Sequence, residues 1–439
     1  MISEHARQLL DRIQRREATV AIVGLGYVGL SLAAALGRAG FRIEGIDVSL
    51  EKVSLLRNGV SYIGDVPHAV VAELNAAGRL HASTEFDGVK QADVIVICVP
   101  TPLRKSKEPD ISFIDAAVES LLPYVKPGQL IILESTTYPG TTEEVIQPRL
   151  ESRGLVIGDD VFLAFSPERV DPGNQAFTTE SIPKVVGGVT ATCGELAAAL
   201  YGRMTSRVHR VSTPRVAETA KLLENTFRSV NIALANELAL ACRAMNVDPW
   251  EVIEAAATKP FGFMPFYPGP GTGGHCIPLD PLYLSWKLRL SGFDTRFIAL
   301  ADEVNRAMPK HVVTLVMDAL NDHQRCVRGA GVLVLGVTYK RDVNDVRESP
   351  ALEIMRELRH KGARVNYADP HVPQLLLDDV KYVALPVTAE VLRAHECVVI
   401  ITDHTAFDYP AIATASPLIV DVRNALRGWN GRREHIVTL

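Results

Sequence analysis

The sequence predicts an α/β fold in which two parallel-sheet domains are joined by a long central helix. Three observations predict it. Short β-branched runs alternate with helical patterns through the first half, as in successive βαβ units. The same order returns after about residue 328, where "VLVLGVT", "ARVNYAD" and "CVVIITDH" repeat "VAIVGLG", "FRIEGID" and "DVIVICVPTP". Between the halves, "STPRVAETAKLLENTFRSVNIALANELALACRAMNV" runs more than 30 residues past Pro214 without another Pro or Gly. A helix that long suits a spine between domains better than a crossover.

"TVAIVGLGYVGLSLAAALGRAG" opens the pattern as a strand, a glycine turn and an Ala/Leu-rich helix. "FRIEGIDVS", "ADVIVICVPTP", "QLIILESTTYPGTT" and "VFLAFSPERV" supply further strands. After the spine comes a Gly/Pro/aromatic loop, "KPFGFMPFYPGPGTGGHCIP", and Asp280-Pro281 reads as the N-cap and first residue of a helix "PLYLSWKLRL". The second α/β half follows with "GVLVLGVTYK", the helix "SPALEIMRELRHKG", and the strands "ARVNYADP", "CVVIITDH" and "PLIVDVRN". The expected domains are 1–211, 212–325 and 326–439. Ligands bind such sheets beyond the strands' carboxyl ends, so the two domains are expected to present those edges across a cleft.

The 439 residues are 47% hydrophobic and 22% charged, an ordinary globular composition with room for two or three cores. A net charge of −5 gives no support for nucleic-acid or membrane-surface binding. The N-terminus lacks the apolar region of a signal peptide, and the apolar runs are only strand-length, so a cytoplasmic protein is expected. The six cysteines (98, 193, 242, 276, 326 and 397) are scattered, as in a reducing compartment. None has a partner at metal-ligand spacing, so no metal is expected.

Gly24, Gly26 and Gly29 form GxGxxG, with Tyr27 and Val28 between them, at a strand-to-helix turn. The first glycine makes the turn, the second admits a pyrophosphate, and the third permits close helix–strand packing. The first domain is therefore Rossmann-like. Asp47 closes the next strand, where a carboxylate bonds the adenosine ribose. No Arg follows it to meet a 2′-phosphate, so NAD is expected. The second half has only one glycine in "GVTYK", which makes no such cradle. Lys340 and Arg341 there read as a phosphate contact or, taken alone, as solvated surface.

Lys221 and Asn225 share one face of the spine helix. A lysine there can stabilise an alkoxide, but without other information the pair reads as a solvent-facing stripe. Glu168 reads equally as a base at a sheet edge or as a surface acid paired with Arg169. Cys276 stands out: it follows Gly273 and Gly274 and precedes Asp280, which is poor packing sequence but good nucleophile sequence. A thiol beside NAD can capture an aldehyde as a thiohemiacetal and pass it through a thioester to an acid.

The segments "GLGYVGL", "VPTP", "ESTTYPGTT", "SPERVDPGN", "AKLLENTFRSVNIALANE", "GTGGHCIPLDP" and "GVTYKRDVNDVRESPA" together resemble the UDP-glucose/GDP-mannose dehydrogenase family over nearly the whole chain. The resemblance implies Cys276 as nucleophile, Lys221 as oxyanion stabiliser, and Asn225 as partner of substrate and water. It implies Asp280 as the acid after the thiol, Glu168 as acid/base, and Thr136 as a holder of catalytic water. Asp47, Lys52, Thr101 and Thr136 fall at cofactor positions. Arg169, Tyr267, Gly271, Gly273, Gly274, Lys340 and Arg423 fall at substrate positions. The implied reaction converts the C6 hydroxymethyl of a nucleotide sugar to a carboxylate with two NAD, in a homodimer or larger assembly joined at the spine.

His275 and "SPERVDPGN" depart from the UDP-glucose pattern and resemble the branch acting on UDP-N-acetylhexosamines in surface-polysaccharide synthesis. UDP-N-acetylglucosamine is the foremost expectation, with the manno and galacto epimers and UDP-glucose as alternatives. Other classes fit parts of the pattern: a dehydrogenase that stops at an aldehyde, or a nucleotide-sugar sensor without catalysis. A sensor would be expected to lack Lys221 or Cys276, and both are present.

Overall fold

The computed structural model describes residues 3–104, 106, 108–170, 177–274 and 276–439. The chain divides into two compact units: residues 1–224 with 282–293, and residues 225–281 with 294–439.

The first unit is built on a sheet of β1 (Thr19–Val23), β2 (Arg42–Ile46), β3 (Leu80–Ser83), β4 (Val94–Ile97), β5 (Leu130–Leu133), β6 (Phe162–Phe165), β7 (Lys184–Gly188) and β8 (Val208–Val211). Their order is β3-β2-β1-β4-β5-β6-β7-β8, parallel throughout except between β6 and β7. The first six strands thus take the doubly wound order, with a switch point between β1 and β4. Every residue of β1, β4, β5 and β6 is buried, because helices cover both faces and leave no polar side to alternate with. A helix at Glu4–Arg15, not anticipated from sequence, packs Ala6, Leu9 and Ile13 into this core, and its first turn is capped by the Ser3 hydroxyl. Burying Leu9 and Ile13 contributes about 1.5–3 kcal/mol each.

The second unit holds β9 (Gly331–Leu335), β10 (Arg364–Ala368), a hairpin of β11 (Gln374–Leu377) and β12 (Val380–Val383), then β13 (Cys397–Ile400), β14 (Ile419–Asp421) and β15 (Ile436–Thr438). The main sheet runs β10-β9-β13-β14-β15, all parallel, and its switch point lies between β9 and β13. The helix Pro350–His360 starts at a Ser349 cap with Pro350 in its first turn and buries Ala351, Ile354, Met355 and Leu358, a 3.6-residue stripe.

The spine is a 31-residue helix, Pro214–Ala244, opened by Pro214 as the sequence predicts. A second long helix, Arg296–Asp322, was not read from sequence, and it contains Pro309. Proline has no N–H, so the Asn305 carbonyl loses its helical donor. The backbone of Gly271 packs there, where a Cβ would lie 2.9 Å from that oxygen.

Candidate active site

At the β1 turn Gly24 has φ +92°, and a Cβ on it would strike the Cys98 carbonyl at 2.7 Å. A Cβ on Gly29 would sit 1.8 Å from the Gly24 oxygen, so the helix Tyr27–Arg38 packs onto the turn only through glycine. Gly26 differs: nothing lies within 4 Å of its Cβ position, and the helix it starts has no side-chain cap. An open backbone at an uncapped helix N-terminus fits a pyrophosphate.

Asp47 is buried at the end of β2 and is engaged before any ribose arrives. Its Oδ2 accepts from the Leu25 N–H (2.9 Å) and the Lys52 ammonium (3.1 Å), and its Oδ1 from the Ser49 N–H (2.9 Å). A carboxylate offers about four acceptor positions, so one remains for a hydroxyl donor. Tyr62 also braces the turn, donating its hydroxyl to the Leu25 carbonyl at 2.5 Å. Burial, then the Asp47 charge, raises the Tyr62 pKa, which keeps that phenol a donor. Tyr62 carried no sequence signal.

Past β5, Ser135 donates to the Val99 carbonyl (2.8 Å), placing the half-buried Thr136 beside the loop that carries the buried Thr101. The segment after β5 is tied to the spine by Glu218, a residue the sequence did not flag. Its carboxylate accepts from the N–H groups of Gly140 (2.5 Å) and Thr142 (3.0 Å) and from the Thr142 hydroxyl (2.7 Å). Burial raises its pKa, against those hydrogen bonds. One turn on, Lys221 is 8% exposed and Leu222 is fully buried against Tyr138 and Tyr283, whose hydroxyl donates to the Thr101 carbonyl. Lys221 and Asn225 (5% exposed) are therefore no solvent-facing stripe.

Glu168 is not a surface acid paired with Arg169, whose guanidinium goes to Glu224 at 2.6 Å. The Glu168 Oε1 accepts the N–H groups of Arg169 and Val170, both at 2.7 Å, and its Oε2 meets the Lys184 ammonium at 3.0 Å. Burial pushes its pKa up, but Lys184 and the two N–H groups outweigh it and hold the carboxyl below its usual range. Asp171 to Ala176, which continue the segment, lie outside the described residues, as does His275.

The thiol loop belongs to the second unit. Asn236, buried on the spine, accepts the Gly269 N–H (2.9 Å) and donates to Asn305 (2.9 Å), which in turn donates to the Ser229 carbonyl (3.1 Å). This buried amide chain anchors the loop where Tyr267 stacks on Trp250 with ring centroids 5.3 Å apart. Gly273 and Gly274 then pass so close to Tyr339 that a Cβ on either would come within 2.7–2.8 Å of it, and Gly274 has φ +78°.

The expectation that a helix begins at Asp280-Pro281 is corrected. The helix is Cys276–Arg289, with Pro281 inside it. Asp280 is fully buried and its Oδ2 accepts from Asn225 at 2.5 Å, so that carboxylate braces the spine instead of capping a helix. Cys276 is the first helical residue and is exposed.

At the second switch point, Gly336 follows β9 and packs on Thr402 after β13, where a Cβ would clash at 2.4 Å. Lys340 and Arg341 extend from this turn, and Arg341 pairs with Asp403. Arg423, after β14, donates to the Ile401 carbonyl (2.9 Å), and Gly269 leaves room for its guanidinium. Burial and then the Arg341 charge lower its pKa to about 10, so it remains a cation at neutral pH. Asp342, His371 and His404 place candidate ligand atoms within 4.8 Å of one another. His404 is already committed, however: Nδ1 accepts the Asp342 N–H (3.0 Å) and Nε2 pairs with Asp369 (3.0 Å), which stitches the loop after β9 to the sheet.

Three family models match in order along the chain: the NAD binding domain of the UDP-glucose/GDP-mannose dehydrogenase family at 18–205, its central domain at 215–307, and its UDP binding domain at 333–428. The chain belongs to that family. A UDP-N-acetyl-D-glucosamine 6-dehydrogenase of Pseudomonas aeruginosa is 37% identical over 89% of this chain and 92% of its own. A UDP-N-acetyl-D-mannosamine dehydrogenase of Methanococcus maripaludis is 33% identical over 88% of this chain and 86% of its own. The solved UDP-D-ManNAc dehydrogenase of Pyrococcus horikoshii superposes with a TM-score of 0.87 at 32% identity, covering 96% of this chain and 98% of that one. This dehydrogenase is an oxidoreductase that uses NAD and acts on a UDP-sugar. Among the described residues, no helix is long and apolar enough to cross a membrane.

Proposed function

We propose that this family member oxidises the C6 hydroxymethyl of UDP-N-acetylglucosamine to the carboxylate, a four-electron oxidation feeding surface-polysaccharide synthesis in the cytoplasm. The observation that carries the reading is an exposed thiol on the first residue of a helix, directly behind a glycine bend. Bound NAD, held by the Gly26 cradle with Tyr27, Val28, Asp47, Lys52, Thr101 and Thr136, supplies a hydride acceptor used twice per sugar.

In this reading the chain's residues divide the work. Lys221 stabilises the C6 oxyanion as the alcohol becomes an aldehyde. The Cys276 sulfur then adds to the aldehyde carbon, and the oxygen takes a proton to give the thiohemiacetal. Loss of a second hydride and a proton leaves a thioester. Water adds to it, the C–S bond breaks, the thiol is restored and the carboxylate leaves. Asn225, held by Asp280, and the anionic Glu168 orient that water with Thr136, while Lys340, Arg423, Arg169, Tyr267 and the 271–274 bend hold the nucleotide sugar.

The choice of sugar rests on the P. aeruginosa relative's name and on the acetamido-branch motifs. UDP-N-acetylmannosamine is the second reading, supported by the mannosamine dehydrogenases at 33% and 32% identity. Comparing kcat/KM for UDP-N-acetylglucosamine, its manno and galacto epimers and UDP-glucose separates them. UDP-glucose is expected to be poorer by ~10²-fold or more, because a site built to pair an acetamido group is left with unpaired polar groups. Best turnover of another sugar overturns this choice.

We further infer a homodimer formed through the spine. Phe227, Leu234, Phe263 and Met264 are 45%, 62%, 43% and 63% exposed, and all line one groove that Ile253 and Phe266 floor. Apolar side chains gathered in this way call for a partner surface. Light scattering is expected to read twice the 47.8 kDa chain mass, and a single chain mass at micromolar concentration would refute the inference.

A further inference from the structure

Behind Glu168 the fold buries a cation between two carboxylates. Lys184, the first residue of β7, has a side chain 4% exposed. Its ammonium is 3.0 Å from Glu168 Oε2 and 3.0 Å from Oε1 of Glu134, whose side chain, just past β5, is fully buried. The Tyr201 hydroxyl donates to the same Glu134 oxygen, and the Lys184 ammonium lies 5.1 Å from the Tyr201 ring centroid. Among the described residues Cys98, just past β4, also borders the cluster, and its thiol is held well above its ordinary pKa by burial and then by Glu134. Arg169 faces away from the cluster toward Glu224.

One ammonium serving two carboxylates sets up a competition, and the hydrogen bonds decide it. Glu168 has two backbone N–H donors on Oε1 besides the lysine. Glu134 has Tyr201 and Lys184 on one oxygen, while its Oε2 is buried with no hydrogen-bond partner among the described residues. Backbone donors cannot turn away, so the negative charge is better held on Glu168. A proton entering the cluster goes to the bare oxygen of Glu134. The opposite displacements follow: burial raises Glu134, whereas Glu168 is lowered.

We propose that Lys184 is a positioning residue for the oxidation, fixing Glu168 as an oriented anion while Glu134 takes up the proton of the cluster. The proposal rests on the reading that Glu168 acts in the reaction. Without the lysine, burial would push this carboxyl's pKa up, and a protonated carboxyl turns from acceptor into donor and loses its grip on water. Because the folded-state pKa of Glu168 lies below its ordinary value, its ion pair is fully present above the ordinary value and is lost only as pH falls through the lowered one.

The test is the pH dependence of acid formation. Lys184→Met is expected to move the acidic limb of the kcat profile upward by roughly 1–3 pH units, the range over which one adjacent cation acts, whereas Lys184→Arg keeps it near the wild-type position. A lone Lys184→Met substitution leaves two uncompensated buried carboxylates, so Lys184→Met/Glu134→Gln is measured beside it, with thermal melting to establish that it folds. The folded double variant is expected to retain the displaced limb. If it has the wild-type limb, Lys184 is structural only and the proposal is overturned. Glu168→Gln is run in parallel. Normal turnover in that variant overturns the reading of Glu168 itself; slow turnover there, with an unmoved limb in the folded Lys184 variants, overturns the role of Lys184 alone.

Discussion

Cys276→Ala is expected to abolish formation of the sugar acid, lowering its rate by roughly 10⁴-fold or more, the scale on which loss of a covalent nucleophile acts. The fold should tolerate the change: Cys276 is exposed, so the sulfur fills no core space, and stability should move by no more than about 0.5 kcal/mol. Binding of UDP-sugar and NAD should be spared. The first oxidation needs no thiol, so slow formation of one NADH per sugar can persist. In the wild type each sugar is expected to yield two NADH and to end as carboxylate with no free aldehyde, since the proposed thiohemiacetal would hold the intermediate between oxidations. NADH counted per sugar, with the product identified by mass, checks both statements. A wild-type ratio of one, or an alanine variant that makes acid at the wild-type rate, would make the cysteine a structural residue.

Lys221→Ala should lower kcat by about 10²–10³-fold with little change in NAD binding. The lysine is 8% exposed on a helix whose neighbouring turns are pinned by Glu218 on one side and by Asn225 with Asp280 on the other. Pinned turns fix the backbone that carries the lysine, and a fixed donor is what electrostatic stabilisation of a developing oxyanion requires. Lys221→Met keeps most of the side-chain volume and separates packing from charge. It should show the same loss of kcat with a melting temperature near the wild type. Near-normal kcat in the folded Met variant would remove Lys221 from the chemistry.

How much was legible beforehand depended on the range of the interaction. The glycine turn, the Asp47 strand end, the capped helix at Pro350 and the unbroken spine were readable because each is a local rule: a backbone angle, a cap, a period. The helix at Cys276 was misread for the same reason. Asp280-Pro281 satisfies the local cap rule, and only the distant Asn225 shows that the carboxylate is used elsewhere. Pro309 inside a long helix likewise looks like a break, yet Gly271 packs where the proline frees a carbonyl.

The same division holds in the site. Cys276, Lys221, Asn225, Asp280, Glu168 and Thr136 stand out as candidates through motifs, since functional side-chain types recur in recognisable short strings. Lys184, Glu134, Glu218, Asn236 and Asn305 do not, because each is tied to a partner far along the chain: 50 positions for Lys184–Glu134, 78 for Glu218–Gly140 and 69 for Asn236–Asn305, while Lys184 meets Glu168 across 16 positions that no local rule links. By itself, the sequence determined the two parallel sheets, the helix between them, the dinucleotide turn and the thiol. Tertiary structure alone decided which buried charges neutralise one another, since that depends on strands and helices brought side by side, where low dielectric makes a separation of about 3 Å decisive.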